Sequence, residues 1–204
     1  MLDRRSLLVG MGALLGGCAA SAPAAPPALA ATPRARRLIA AARTQVGTTV
    51  HYDPAYTVLP FPNGDVSRVK GVCTDVLIRA YRDAFALDLQ ALVNTDMRAD
   101  FAAYPRKWGL RAPDRNIDHR RVPNLATWFK RHHFALPIPR DPADWQPGDI
   151  FTSLVAGTGT HIGLVSDRRG AQAPLIIHNI GWGAREEDAL LAWPITGRYR
   201  WSLA

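Results

Sequence analysis

The residues with the most chemistry to offer are one cysteine, Cys73, and two histidines, His161 and His178. Cys73 stands in Gly71-Val72-Cys73-Thr74-Asp75, ahead of apolar residues at Val76, Leu77, Ala80, Tyr81, Ala84 and Phe85. That spacing predicts an amphipathic helix with Cys73 at or just before its first turn, and Arg79, Arg82 and Asp83 off the buried stripe. The unpaired N–H groups and the positive end of the helix dipole there favour a thiolate over a thiol. A thiolate, a histidine base and a group that orients the base make a nucleophilic triad. A cysteine is equally at home as a buried core residue, so the helix alone leaves both readings open.

The histidines come from two predicted strands, His161 to Asp167 and Leu175 to Ile180, joined by a turn. If Val165 opposes Pro174, His161 directly opposes His178, with Cβ atoms about 5 Å apart on one face of the hairpin. A slip of one residue would put them on opposite faces. In this arrangement His161 takes the Cys73 proton and His178 holds the other ring nitrogen. Asn179 is the alternative third member, although it points to the other face of its strand.

Other elements follow from periodicity and punctuation. Arg34 to Val46 reads as a helix ended by Gly47, and 48–70, broken by Pro54, Pro60, Pro62 and Asn63-Gly64, as loop with short extended pieces. Leu87 to Tyr104 carries a helix, Arg111 to His119 is polar loop, and Pro123 to His132 is a helix burying Leu125, Trp128 and Phe129. From Trp145 the pattern turns to strands: Asp149 to Leu154, the two histidine strands, Leu190 to Trp193, and Arg198 to Trp201.

The first 17 residues read as a targeting segment. Arg4 and Arg5 precede an apolar stretch, Leu7 to Leu15, which is shorter than the ~20 residues of a membrane span. Asp3-Arg4-Arg5-Ser6-Leu7-Leu8 resembles a twin-arginine export signal, and Leu15-Gly16-Gly17-Cys18 a bacterial lipobox in which Cys18 is lipidated. Cleavage after Ala28-Leu29-Ala30 is the alternative. The expected organisation is a signal peptide over 1–17, an Ala/Pro-rich linker over 18–33 and one domain over 34–204. The protein is then periplasmic and held to a membrane through Cys18. Cys18 and Cys73 are the two cysteines, so lipidation leaves Cys73 as the one unmodified thiol; a Cys18–Cys73 disulfide is the rival arrangement.

The formal charge is +8, and residues 1–17 hold only two Arg and one Asp, so the mature chain keeps +7. The excess is nearly all Arg, without a run of five or more basic residues. That gives no case for nucleic acid and suits an anionic envelope polymer or lipid headgroups.

Four motifs occur in order: Gly71-Val72-Cys73-Thr74-Asp75, Pro147-Gly148-Asp149-Ile150, His161-Ile162-Gly163-Leu164-Val165 and Ile177-His178-Asn179, after a helix ending in Gln45-Val46-Gly47-Thr48. Together they resemble the NlpC-type cell-wall cysteine peptidases. The resemblance implies an α+β, papain-like fold, with Cys73 as nucleophile, His161 as base and His178 as orienting residue. It implies no cofactor, and peptidoglycan or another anionic envelope polymer as partner. A tyrosine before the nucleophile, Tyr52 or Tyr56, is implied as a group that polarises the scissile carbonyl; packing tyrosines are the other reading.

Two departures stand out. Val72-Cys73-Thr74-Asp75 replaces the usual Asp-Cys-Ser-Gly, so Asp75 either binds a substrate amine or caps the helix. And 88 residues separate Cys73 from His161, which implies a helical insertion near 87–140 that reshapes the cleft. More closely, Gly71 to Val76 with Arg79 to Arg82, Pro113 to Arg121, and His161 to Gly163 with Ile176 to Asn179 resemble an uncharacterised, YijF-like bacterial family.

The expected function is cleavage of an amide bond in peptidoglycan stem peptides. The alternatives are a non-catalytic envelope binding protein with the same cleft, or an amidase or acyltransferase on another acyl substrate. Asp114, Asp118 and His119 match no strong metal-ligand spacing and read as a structural loop. His132 and His133 read as surface residues, and Glu186-Glu187-Asp188 as a solvated turn.

Overall fold

A computed structural model describes residues 28–201. The signal peptide, Cys18 and most of the expected linker lie outside the described residues. The linker's last residues belong to the fold: Ala28 bridges Arg168, the Leu29 N–H donates to the Asp167 carbonyl at 2.6 Å, and Thr32 caps the first helix.

The fold is α+β, with four α-helices and a small antiparallel sheet. Helix α1 is Pro33–Arg43, α2 Cys73–Phe85, α3 Leu89–Ala99 and α4 Val122–Arg131. Helix α1 stops before the expected Val46: the chain turns through Thr44–Thr48, where Gly47 takes φ +79°, and the Gln45 amide donates to the Val76 carbonyl. Strands β1 (His51–Tyr52) and β2 (Lys70–Gly71) form a short parallel pair. Strands β3 (Ala135–Leu136), β4 (Ile150–Val155), β5 (Gly159–Arg169), β6 (Pro174–Asn179), β7 (Ala184–Glu187) and β8 (Ile195–Tyr199) build a six-stranded sheet in the order β3-β8-β4-β5-β6-β7.

Two expectations for the last third are corrected. Leu190 to Trp193 is not a strand; Leu190 packs as a loop residue. The stretch expected as a solvated turn supplies β7, whose Glu186 and Glu187 point to opposite faces. Among the described residues, no helix is long and apolar enough to cross a membrane.

Alternation along β5 divides the molecule. Ile162 and Leu164, with Ile150, Ile177 and Tyr199, face the helices and complete the main core against Ile39, Leu77, Ala80, Leu125 and Phe129. Val165, with Phe151 and Ile176, faces the other way into a smaller core closed by Trp145, Ala173 and Leu190. Both α3 and α4, from the segment expected as an insertion, contribute to the main core.

Gly163 has no room for a side chain. A Cβ there would lie 2.6 Å from the Phe151 ring and 3.0 Å from the His178 Cβ. Gly163→Ala is therefore expected to destabilise the fold by about 1–3 kcal/mol. An unchanged urea midpoint would contradict this crowding.

Candidate active site

Cys73 is the first residue of α2, as the hydrophobic stripe predicts, and is 5% exposed. Val72 is the N-cap and has no side-chain oxygen to offer, so the cap comes from Asp75: its Oδ2 accepts the Val72 N–H at 2.7 Å. Asp75 also holds Arg120 through two parallel bonds, at 2.9 and 2.8 Å, and both side chains are almost fully buried. The Thr74 hydroxyl donates to the Arg120 carbonyl at 3.0 Å. Thr74 and Asp75, two of the residues that depart from the peptidase motif, thus dock the 3-10 turn Asp118–Arg120 onto the start of α2. Asp75 is a cap and an ion-pair partner here, with its oxygens already engaged.

The register of β5 against β6 differs from the assumed one by two residues: Val165 pairs with Ile176, not Pro174. A two-residue shift preserves facing, so His161 and His178 still share a face, as diagonal neighbours. His161 Nε2 meets His178 Nδ1 at 2.8 Å, and His178 Nε2 meets Glu187 Oε1 at 2.7 Å. The acid at the end of this chain escaped the sequence analysis because its neighbours read as a turn.

A proton order follows from this chain. An ionised carboxylate only accepts, so His178 carries its proton on Nε2 and accepts at Nδ1. His161 then donates from Nε2, which leaves its Nδ1 with the free lone pair. Burial holds both imidazoles neutral. His161 is pulled down to about 3 by burial and by His178, and His178 is lowered by burial against the pull of Glu187.

The histidines lie on the face of the sheet away from the helices. His161 packs beside Phe151 and Trp193, with ring centroids 6.0 and 6.1 Å away. Cys73 comes from the helix side, and the Ile162 N–H, next in sequence to His161, faces its sulfur. Among the described residues no hydrogen bond joins the sulfur to either imidazole. Burial pushes the thiol up to about 12, with Asp75 adding to the rise and the N–H groups of Ile162, Thr74 and Cys73 opposing it. Burial thus works against the expected thiolate and favours a neutral thiol and a neutral imidazole.

Asn179 faces the helices and donates from Nδ2 to the Gly71 carbonyl at 3.1 Å. It ties β6 to the residues before Cys73 and does not touch the histidines. Tyr52, paired with Gly71, lines the same cleft as Cys73; burial and then Cys73 and Asp75 push its hydroxyl up to about 12. Tyr56 is not in the cleft: it is exposed, and its hydroxyl binds Asp114 at 3.1 Å and Asn116 at 2.8 Å. Asp118 accepts the Asp114 N–H and pairs with Arg121, as suits a structural loop. Among the described residues no group of three or more His, Cys, Asp or Glu is placed to hold a metal.

The cleft at Cys73 measures about 230 Å3 and is lined also by Thr160 of β5 and by Lys107, Trp108 and Arg121. Residues 39–201 match the family described as "Domain of unknown function (DUF1287)". This chain belongs to the DUF1287 family. It is 53% identical over 163 residues to "Uncharacterized protein YijF" of Escherichia coli (strain K12), a match covering 78% of each chain. The DUF1287 match starts within α1 and ends at Trp201, so every element of the site falls inside it.

A third buried histidine, His119, is pulled down to about 4 by burial. Each of these imidazoles stays neutral in the folded DUF1287 domain while its unfolded counterpart protonates below about pH 6.5. Stability is accordingly full above that value and falls as the pH drops toward 4. By pH 5 His161 alone is expected to remove about 2 kcal/mol. Urea melts at pH 7 and pH 5 check this. His161→Gln should flatten the difference, and an unaltered slope would contradict the assignment.

Proposed function

We propose that this DUF1287 protein is an exported cysteine hydrolase that cleaves an amide bond in peptidoglycan stem peptides, on a papain-like fold of the NlpC type. The supporting observation is the chain His161–His178–Glu187, at 2.8 and 2.7 Å, carried on the strand whose next residue, Ile162, turns its N–H to Cys73. Because the resting pair is neutral, His161 acts as a general base at the moment of attack. This requires the Cys73 thiol to come within reach of His161 Nδ1 around the start of β5 when substrate binds; that nitrogen then takes the thiol proton as Sγ bonds to the carbonyl carbon. The oxyanion meets the Cys73 N–H, one of the unpaired donors of the first turn. His161 returns the proton to the leaving amine, and water, activated by the same nitrogen, releases the acid from the thioester.

One observation favours a second reading, a binding protein that keeps the cleft without turnover: the thiol is buried, which disfavours its ionised form, and it makes no hydrogen bond to imidazole among the described residues. Alkylation at neutral pH is slow in both cases and does not separate them. Digestion of purified peptidoglycan by wild type and Cys73→Ala does, with products read by mass spectrometry. New amide-cleavage products from wild type alone support the hydrolase. The same products from both proteins, or none from either, would sink it.

For the leader we propose lipidation at Cys18, with a periplasmic, membrane-anchored domain. The Ala28–Arg168 bridge and the Leu29–Asp167 bond support it, since cleavage after Ala30 would remove both. Cys18→Ala should release the protein from membranes; retention would count against the anchor.

A further inference from the structure

Three cationic side chains, Lys107, Arg120 and Arg121, line the Cys73 cleft, and no carboxylate does. Their charges are not equally free. Arg120 is committed to Asp75 through both bonds of its fork. Arg121 gives Nη1 to Asp118 at 2.9 Å and lays its guanidinium over the Trp108 ring, 4.1 Å from the centroid. Lys107 is exposed, has its Nζ 5.1 Å from the centroid of the same ring, and pairs with no carboxylate among the described residues. Trp108 thus holds two cations on one wall of the cleft that Cys73 also lines, with one of them uncompensated. Two paired acids behind three cations leave a local positive excess, in a concave place where field lines concentrate.

We infer that this wall, Lys107 with Trp108 and Arg121, binds a carboxylate carried by the substrate beside the bond that Cys73 attacks. The substrate class is then an anionic peptide, in place of a neutral ester or amide. This rests on the hydrolase reading for the bond cleaved; the recognition itself is a binding property. All three residues come from the segment between α2 and α4, which explains what that segment adds to the cleft that Cys73 lines: a charged, aromatic wall.

The test uses the full chain with Cys73→Ala, which cannot turn over. Soluble stem peptides released from peptidoglycan, and the same peptides with their carboxylates converted to amides, are titrated by calorimetry at low and moderate salt. The free peptides are expected to bind about tenfold more tightly or better, as one charge-assisted hydrogen bond gives, with a preference that shrinks as salt rises. Adding Lys107→Glu, a change at an exposed side chain, should abolish the preference. Equal affinity for both peptides, binding of neither, or a preference that survives Lys107→Glu would overturn the inference. The two claims fail separately. Preferential binding without cleavage by wild type removes the hydrolase reading and leaves the carboxylate site. Cleavage with no preference does the reverse.

Discussion

Asp75→Ala is expected to cost the fold about 3–5 kcal/mol, among the largest losses from any single truncation near the site. The cause is what stays behind. Arg120, with a side chain only 2% exposed, would keep its charge in the interior with only the long bonds to the Asp53 and Ala55 carbonyls left and no counter-charge for the fork, and the Val72 N–H would lose its acceptor. Urea unfolding monitored by fluorescence gives the number. Asp75→Asn should lose less, because its amide oxygen can still cap the helix. Replacing both members, Asp75→Leu with Arg120→Leu, should recover part of the loss, since the desolvated charge goes with its partner. A loss below about 1 kcal/mol for Asp75→Ala would mean that the pair is solvated and that the turn at 118–120 does not lean on α2.

The second large effect is on turnover. Removing the base with His161→Ala should lower the rate of peptide cleavage by about 10²- to 10⁴-fold. His178→Ala and Glu187→Ala leave that base in place but free its tautomer, so smaller losses are expected, with Glu187 the milder because its side chain is 37% exposed. Glu187→Gln discriminates positioning from bulk packing. Its amide oxygen can still accept from His178 Nε2, so it should retain more activity than Glu187→Ala with a similar melting temperature. Equal losses from the two Glu187 variants would argue that the proton order derived from the chain has no part in catalysis. Kinetics at several pH values add a further check: a neutral resting pair predicts no loss of rate from His161 protonation until well below the usual imidazole range.

How much of this could be read from the sequence depended on which interactions are local. The stripe Val76-Leu77-Ala80-Tyr81-Ala84 placed Cys73 at a helix start because the period and the first turn sit in consecutive residues. The histidines were brought to one face despite a wrong register, since side-chain facing has a period of two and the error was two residues. Their position on the far face of the sheet was not foreseen, because facing relative to the helices is fixed by the core that Ile162 and Leu164 enter, not by the hairpin. Asp75 and Arg120 are 45 residues apart and carry no local mark of their pairing. Glu187 was missed because two adjacent acids give no hydrophobic alternation, and their strand is recognised only once β6 is there to pair with it. Leu190 to Trp193 misled in the opposite sense: an apolar run that covers the smaller core as a loop.

The central claim is that Cys73 bonds covalently to the acyl group it releases, and intact-protein mass spectrometry tests it most directly. Wild-type protein is mixed with stem peptides and quenched in acid within milliseconds to seconds, then digested to locate any added mass. The expected result is the acyl fragment on the peptide that contains Cys73, accumulating in variants slowed at deacylation and absent from Cys73→Ala. Cleavage of the peptide with no such adduct, or cleavage that persists in Cys73→Ala, would contradict it.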